Sequence, residues 1–427
     1  MKSVQWLFLT LLTLGLTLQG CGGDDRTSEE HITDAMAFNE LGQYDAAVLE
    51  LKSALTKSPG NMQARWVLGT IYLKTGETSA AVKELQRSLE LGQDQETVLI
   101  PLATALLYER EYYQLLDQTA DMANLTGDAQ VRLLVLRGHA NIGLNKLSEA
   151  DGLYDLALGL RNADAEARLG KARVQATQGR MEKAREWIAA AVESDPALSL
   201  AWCLLGDIEQ FEGNLKAAEA AYNKAIEARP DGIQELSGRA LVRLSMGIIG
   251  KAAADVGKAR RLSNMSRTKQ PLFYYAIGQL ELEREKYAQA AKAFEILLKF
   301  EPDYLPAHYY LATANYRQGK IEQAGQGATM FRKRAPQFTG GHRLYAAIKY
   351  TQGQYAQAQE ALEYLLSFLP EDAWSQAMLA DIAVLQGNPG QSVEDDKRIV
   401  ELHPDAVEAH RKLALGLMLI DAGQASQ

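Results

Sequence analysis

AWCLLGDIEQFEGNLKAAEAAYNKAIEARP, residues 201–230, contains in one stretch every feature that decides the fold. Gly206, Gly213, Ala218 and Pro230 stand in it at offsets that recur along the chain. Pro196 and Pro230 are 34 residues apart, and Pro302, Pro336, Pro370 and Pro404 continue in steps of 34 after four extra residues; Pro59 joins the phase with two small shifts. Numbering each unit so that this proline is position 32 gives eleven units. They start at Ser28, Met62, Glu96, Val131, Ala165, Ser199, Ile233, Pro271, Leu305, Thr339 and Ala373, and a partial twelfth opens at Val407. Position 8 is never larger than Ala, with Gly at Gly69, Gly138, Gly206 and Gly278. Position 20 is Ala in nine units, among them Ala81, Ala184 and Ala218, and fails only at Leu115 and Ser392. These two columns predict two points where helices cross closely. Position 15 is Gly in eight units, which predicts an inter-helix turn with φ > 0.

A self-similar period of this length means tandem supersecondary units, each too small to bury its own apolar face and stable only through its neighbours. The units resemble tetratricopeptide repeats, whose pattern has a bulky residue at 4, Leu at 7, a small residue at 8, an aromatic at 11, Ala at 20 and 27 and Pro at 32. Residues 201–230 fit it well, as does RWVLGTIYLKTGETSAAVKELQRSL at 65–89; the third unit, with Arg110 and Leu115 in place of Gly and Ala, is degenerate. The expected fold is therefore all-α, a tetratricopeptide superhelical solenoid of about eleven helix-turn-helix repeats plus a partial twelfth. A composition of 47% hydrophobic and 23% charged residues suits packed helices. The expected layout is a leader at 1–20, a polar tether at 21–30, seven repeats at 31–266, an insertion at 267–270 and the remaining repeats at 271–427.

The N-terminus has Lys2, an apolar run from Val4 to Leu18, and then LQGCGG. The run is too short for a permanent membrane span and reads as the apolar core of a signal peptide. Leu18, Gln19, Gly20 and Cys21 resemble the bacterial lipobox, which implies cleavage before Cys21 and acylation of its thiol. Two or more acyl chains anchor stably where one does not. Gly22 follows, where an inner-membrane retention signal would place Asp, so the expected location is the outer membrane, facing the periplasm of a Gram-negative bacterium. An ordinary secretory peptide and an uncleaved anchor are the alternatives.

Charge and motif content narrow the function. The net charge of −9 becomes −10 when removal of residues 1–20 takes Lys2 with it, which argues against nucleic acid and against electrostatic docking on anionic lipid. No HExxH, GxSxG, GxxxxGK[ST] or CxxC motif occurs, so neither a catalytic residue, a metal, a cofactor nor a small-molecule substrate is expected. His308, His342 and His410 share position 4, which favours packing over metal binding. Cys203 is expected to be a small buried apolar residue.

Repeats of this family present a groove lined by positions 2, 5, 9, 12 and 13 of each first helix. The Lys and Asn clamp of its chaperone-binding members is missing. Instead Tyr275, Tyr309, Tyr316, Arg317, Arg343 and Tyr350 fall on groove positions of the eighth to tenth units, residue types suited to binding hot spots. Helical spacing alone leaves open whether these aromatics face a partner or pack between units.

The order of lipobox, short tether and then AAVLELKSALTKSPGN from residue 46 is similar to the TPR-repeat lipoproteins of the PEP-CTERM/exosortase system, most closely over residues 18–117. That resemblance implies a non-enzymatic envelope scaffold for a protein or peptide partner, working in exopolysaccharide production or protein sorting. A pilotin or exporter scaffold among outer-membrane lipoproteins is one alternative. The interaction region of a longer, truncated enzyme is another, because members of that group are usually about twice as long.

Overall fold

The computed structural model describes residues 25–122, 125, 127–263, 270–402, 412–414 and 417. Cys21 with its lipobox, Pro404, His410 and residues 267–269 of the insertion lie outside them. Among the described residues there are 22 α-helices and no strand.

The chain divides into two compact units, residues 1–129 and 130–427. The first carries α1 (Ser28–Glu40), α2 (Tyr44–Lys57), α3 (Met62–Thr75), α4 (Thr78–Glu90), α5 (Gln95–Tyr108) and α6 (Tyr112–Gln118). The second carries nearly all of α7 (Gly127–Gly143), then α8 (Leu147–Leu160), α9 (Ala165–Thr177), α10 (Met181–Ser194), α11 (Ser199–Phe211), α12 (Leu215–Ala228), α13 (Ile233–Ser245) and α14 (Ile249–Ser263). It continues with α15 (Pro271–Glu283), α16 (Tyr287–Phe300), α17 (Leu305–Arg317), α18 (Ile321–Arg334), α19 (Thr339–Thr351), α20 (Tyr355–Phe368), α21 (Ala373–Leu385) and α22 (Pro389–Leu402). The division follows the degenerate third repeat, whose second helix has only seven residues. It does not fall at the 267–270 insertion. The fourth repeat opens at Gly127 rather than at Val131, and the third at Gln95, where the Asp94 side chain caps the helix.

Each hairpin turns in the same way. In all eleven repeats the residue after the turn donates its N–H back to a carbonyl five positions earlier, as Glu77 does to Tyr72 and Asn214 to Glu209, both at 2.8 Å. This closure requires a left-handed residue at position 15. Glycine supplies it at φ +83° in Gly76 and +82° in Gly213. Arg110, Asn145 and Glu285 adopt the same conformation at φ 61°, 58° and 58°, so the turn imposes the geometry even where the residue disfavours it.

The small columns are the predicted crossings. Ala81, Ala184 and Ala218 are fully buried. At position 8, glycine stands wherever position 24 is an aromatic ring, and also at Gly69 opposite Leu85. A Cβ on Gly138, Gly206 or Gly278 would lie 2.5, 2.6 or 2.4 Å from the rings of Tyr154, Tyr222 or Phe294, and one on Gly69 would lie 2.6 Å from Leu85. Tyr154 and Tyr222 are pinned from the far side too, by Gly170 and Gly238 of the next repeat. Where position 24 is Ile188, Val256 or Leu362, position 8 is Ala172, Ala240 or Ala346.

The proline column ends each hairpin with a carbonyl that the next repeat captures from position 4. His308 and His342 place Nε2 at 2.6 and 2.8 Å from the carbonyls of Pro302 and Pro336. Gln376 donates to Pro370 at 2.6 Å, Trp202 to Pro196 at 3.3 Å and Arg65 to Pro59 at 2.8 Å. The carbonyl of Pro230 accepts from Lys258 instead. His308 and His342 are thus inter-repeat hydrogen-bonding groups, and no metal-binding group of His, Cys, Asp and Glu occurs among the described residues.

Candidate functional site

First helices place positions 5, 9, 12 and 13 on one face, because residues three and four apart share a helix surface. In the second compact unit this face opens into a cleft of about 310 Å³. Its walls are Gln210 of α11, Leu241, Leu244 and Ser245 of α13, Tyr275, Gln279 and Glu283 of α15, and Tyr310 of α17. Every one of these comes from a first helix.

Tyr275 anchors the cleft wall. Its ring stands edge-on to Phe294, Tyr304 and Tyr310 with centroids 6.1, 5.5 and 6.1 Å away. Burial, reinforced by the neighbouring Tyr310 and Tyr304 phenols, pushes its hydroxyl far above the usual range, so Tyr275 is a neutral hydrogen-bonding group at any physiological pH. Gln279 sits one turn on, its Nε2 beside the Tyr275 hydroxyl but short of a well-formed hydrogen bond. Glu283 is exposed at the rim. The wall therefore offers aromatic and aliphatic surface, an amide donor and a carboxylate, a combination that suits an extended polypeptide.

The other five residues expected on the groove do not line this cleft. Tyr309 packs its ring against Tyr310, Phe331 and Phe338 at 5.0, 5.3 and 5.2 Å, all within the ninth repeat. Tyr316 meets the Thr351 hydroxyl at 3.3 Å. Arg317 turns towards the start of α16, donating to the Tyr287 hydroxyl at 2.7 Å with its guanidinium 5.1 Å from that ring's centre. Arg343 forms a two-pronged pair with Asp372, the residue whose side chain caps α21. Burial works to raise the Asp372 pKa, but the hydrogen bonds from Ser375 and Arg343 outweigh it and hold it below the ordinary carboxylate range. Tyr350 stands edge-on to Tyr355 at 5.7 Å. Tyr275 alone of the six lines the cleft.

Sequence reasoning passed over Tyr310, at position 6, and the polar residues Gln210, Gln279 and Glu283. The last three occupy positions 12, 9 and 13, so the groove rule covered them; the preference for Tyr and Arg hid them. Cys203 is 3% exposed, and burial together with Glu235 and Asp207 drives its thiol far above the usual range, as suits a packing residue and not a nucleophile.

Residues 39–99, 135–199, 200–231 and 275–336 match family descriptions that all read tetratricopeptide repeat, together just over half of the chain. The chain is a tetratricopeptide-repeat protein. No curated protein matches it. Among solved structures it is similar to the APC/C hetero-tetramer Cut9-Hcn1, at 13% identity and TM-score 0.45 over 91% of this chain and 96% of that one. It is also similar to yeast Tom70, at 13% identity and TM-score 0.39 over 94% and 96%. A third is a tetratricopeptide repeat protein from Parabacteroides merdae ATCC 43184, at 20% identity and TM-score 0.39 over 59% and 98%. A tetratricopeptide-repeat fold is typical of non-enzymatic scaffolds and implies protein partners.

Proposed function

We propose that this protein is a lipid-anchored scaffold of a Gram-negative cell envelope that docks a partner polypeptide in the cleft between α11 and α17, serving exopolysaccharide production or protein sorting of the PEP-CTERM/exosortase kind. The observation that carries the reading is the cleft itself: Tyr275, Tyr310 and Leu241 supply half-buried apolar surface beside the amide of Gln279. Such a wall recognises both the side chains and the backbone carbonyls of an extended chain. Leu18-Gln19-Gly20-Cys21 supports the anchor, and no helix of the described residues is long and apolar enough to cross a membrane.

A photoreactive amino acid at position 279, in the full-length protein expressed in its own envelope, tests the docking site. The proposal expects a discrete crosslinked envelope protein that is absent when the same group sits at exposed Lys292 on α16. Equal yields from the two positions would refute a first-helix docking site. A crosslinked partner unrelated to polysaccharide export or protein sorting would leave the scaffold and remove the pathway.

A further inference from the structure

Position 9 of the first helices, which supplies Leu241 and Gln279 to the cleft, carries three ionisable residues at a strict 34-residue spacing just before it: His139 on α7, Arg173 on α9 and Asp207 on α11. Tyrosines that come up between the helices hold the outer two. The Tyr154 hydroxyl lies 2.7 Å from His139 Nδ1, and the Tyr222 hydroxyl donates to Asp207 Oδ1 at 2.5 Å. Both tyrosines are the ones held between glycine pairs, Gly138 with Gly170 and Gly206 with Gly238, so their hydroxyls have little freedom to move. The middle member differs. Arg173 is half-buried, and its guanidinium makes no hydrogen bond or ion pair among the described residues, not even with Asp207. Asp207 acts on it only from beyond ion-pair distance, so a partly buried guanidinium keeps its five-donor fork open to a carboxylate that meets it directly.

Resting on the scaffold reading above, we propose that Arg173 is the specificity contact for an acidic side chain, Asp or Glu, of an extended peptide that lies across His139, Arg173 and Asp207 and runs on into the Leu241–Tyr275–Tyr310 cleft. Neighbouring packed helices are about 8–10 Å apart, so the three-residue row spans roughly 16–20 Å, or about five or six residues of extended chain. The peptide carboxylate takes the Arg173 fork, and the free oxygen of Asp207, whose other oxygen is occupied by Tyr222, accepts a peptide N–H. Burial, with Arg173 and Arg132 nearby, holds the His139 pKa down to about 3, so the imidazole stays neutral beside Arg173 and adds no second charge to the row. Crowding raises the Asp207 pKa, and Tyr222 and Arg173 work against that rise. An acidic side chain, and not a chain terminus, is the expected occupant because position-9 residues continue beyond Arg173 in both directions along this face.

The test is selection from a displayed random library of peptides roughly twelve residues long, run on the full-length protein in detergent and on Arg173→Ala. Wild-type selections are expected to share one fixed Asp or Glu, and Arg173→Ala should bind the winning peptide about tenfold to a hundredfold more weakly. Replacing that acid by Gln or Asn should weaken wild type equally and leave Arg173→Ala unaffected. Arg173→Glu should instead prefer the peptide in which Lys replaces the acid, which keeps the test informative if Arg173→Ala folds poorly. Amidating the peptide C-terminus should change nothing; a loss there would overturn the side-chain assignment. Selected peptides without a fixed acid, or with affinity indifferent to Arg173, would overturn this proposal and leave the cleft reading intact. Recovery of no peptide at all would overturn both.

Discussion

Gly206→Ala isolates the packing rule that shapes every hairpin. The new methyl would lie 2.6 Å from the Tyr222 ring, and Gly238, whose own Cβ would lie 2.2 Å away, closes the ring's retreat on the other side. Overpacking of a core costs about 1–3 kcal/mol, and the two-sided confinement puts this site near the upper end. Replacing a helical Gly by Ala returns about 1 kcal/mol of propensity, so the net loss is about 2 kcal/mol. Gly152→Ala in α8 is the control, because nothing lies within 4 Å of its Cβ, and it should stabilise by about 1 kcal/mol. The double variant Gly206→Ala with Tyr222→Leu recreates the pairing of Ala346 with Leu362 and should recover part of the loss, a coupling of about 1 kcal/mol in the double-mutant cycle. Urea denaturation followed by circular dichroism reads wild type, Gly206→Ala, Tyr222→Leu, the double variant and the Gly152→Ala control. Stabilisation by Gly206→Ala to the same extent as Gly152→Ala would show that the Gly206–Tyr222 contact does not constrain the fold.

Five further outcomes are expected. Tyr309→Ala should lower stability by about 2–3 kcal/mol through its ring contacts within the ninth repeat, whereas Gln279→Ala should leave melting unchanged and weaken the crosslinked partner about tenfold by titration. Glu285→Gly should stabilise by about 0.5–1 kcal/mol, since it relieves a left-handed non-glycine at an exposed turn. Asp396 is 2% exposed at position 24, and burial raises its pKa to about 6 against the pull of Lys412. Its neutral form suits the fold, so its contribution is present below the unfolded pKa and fades as pH rises through about 6. Asp396→Asn should therefore stabilise the last described repeat above that pH and have little effect below pH 4, as amide hydrogen exchange would report. Cys21→Ser should abolish incorporation of an alkyne-labelled fatty acid and release the protein from the membrane fraction.

The repeat columns were readable because each is a steric requirement met the same way many times: a small residue where helices cross, glycine where the turn is left-handed. The choice between Gly and Ala at position 8 was not readable from that column, because an aromatic ring 16 residues later goes with Gly, as at Gly206 with Tyr222, while Leu there accepts either, as Gly69 with Leu85 and Ala346 with Leu362 show. The position-4 residues looked unrelated by type, yet His308, His342, Gln376 and Trp202 share a donor aimed at one carbonyl, a common role that side-chain class conceals. The groove residues were hardest. Helical spacing sets where Cα atoms lie, but long side chains choose partners across the stack. Arg317 swings to Tyr287 and Arg343 to Asp372, while Tyr310, outside the groove positions, reaches the cleft. The degenerate third repeat kept its turn despite Arg110, and its shortened α6 coincides with the boundary between compact units.

The most direct test of the account is amide hydrogen exchange on the full-length protein with and without the partner captured through position 279. Protection concentrated on α11, α13, α15 and α17, with α12, α14 and α16 unchanged, is the predicted result. Protection confined to the second helices, or none on either set, would contradict a first-helix docking face.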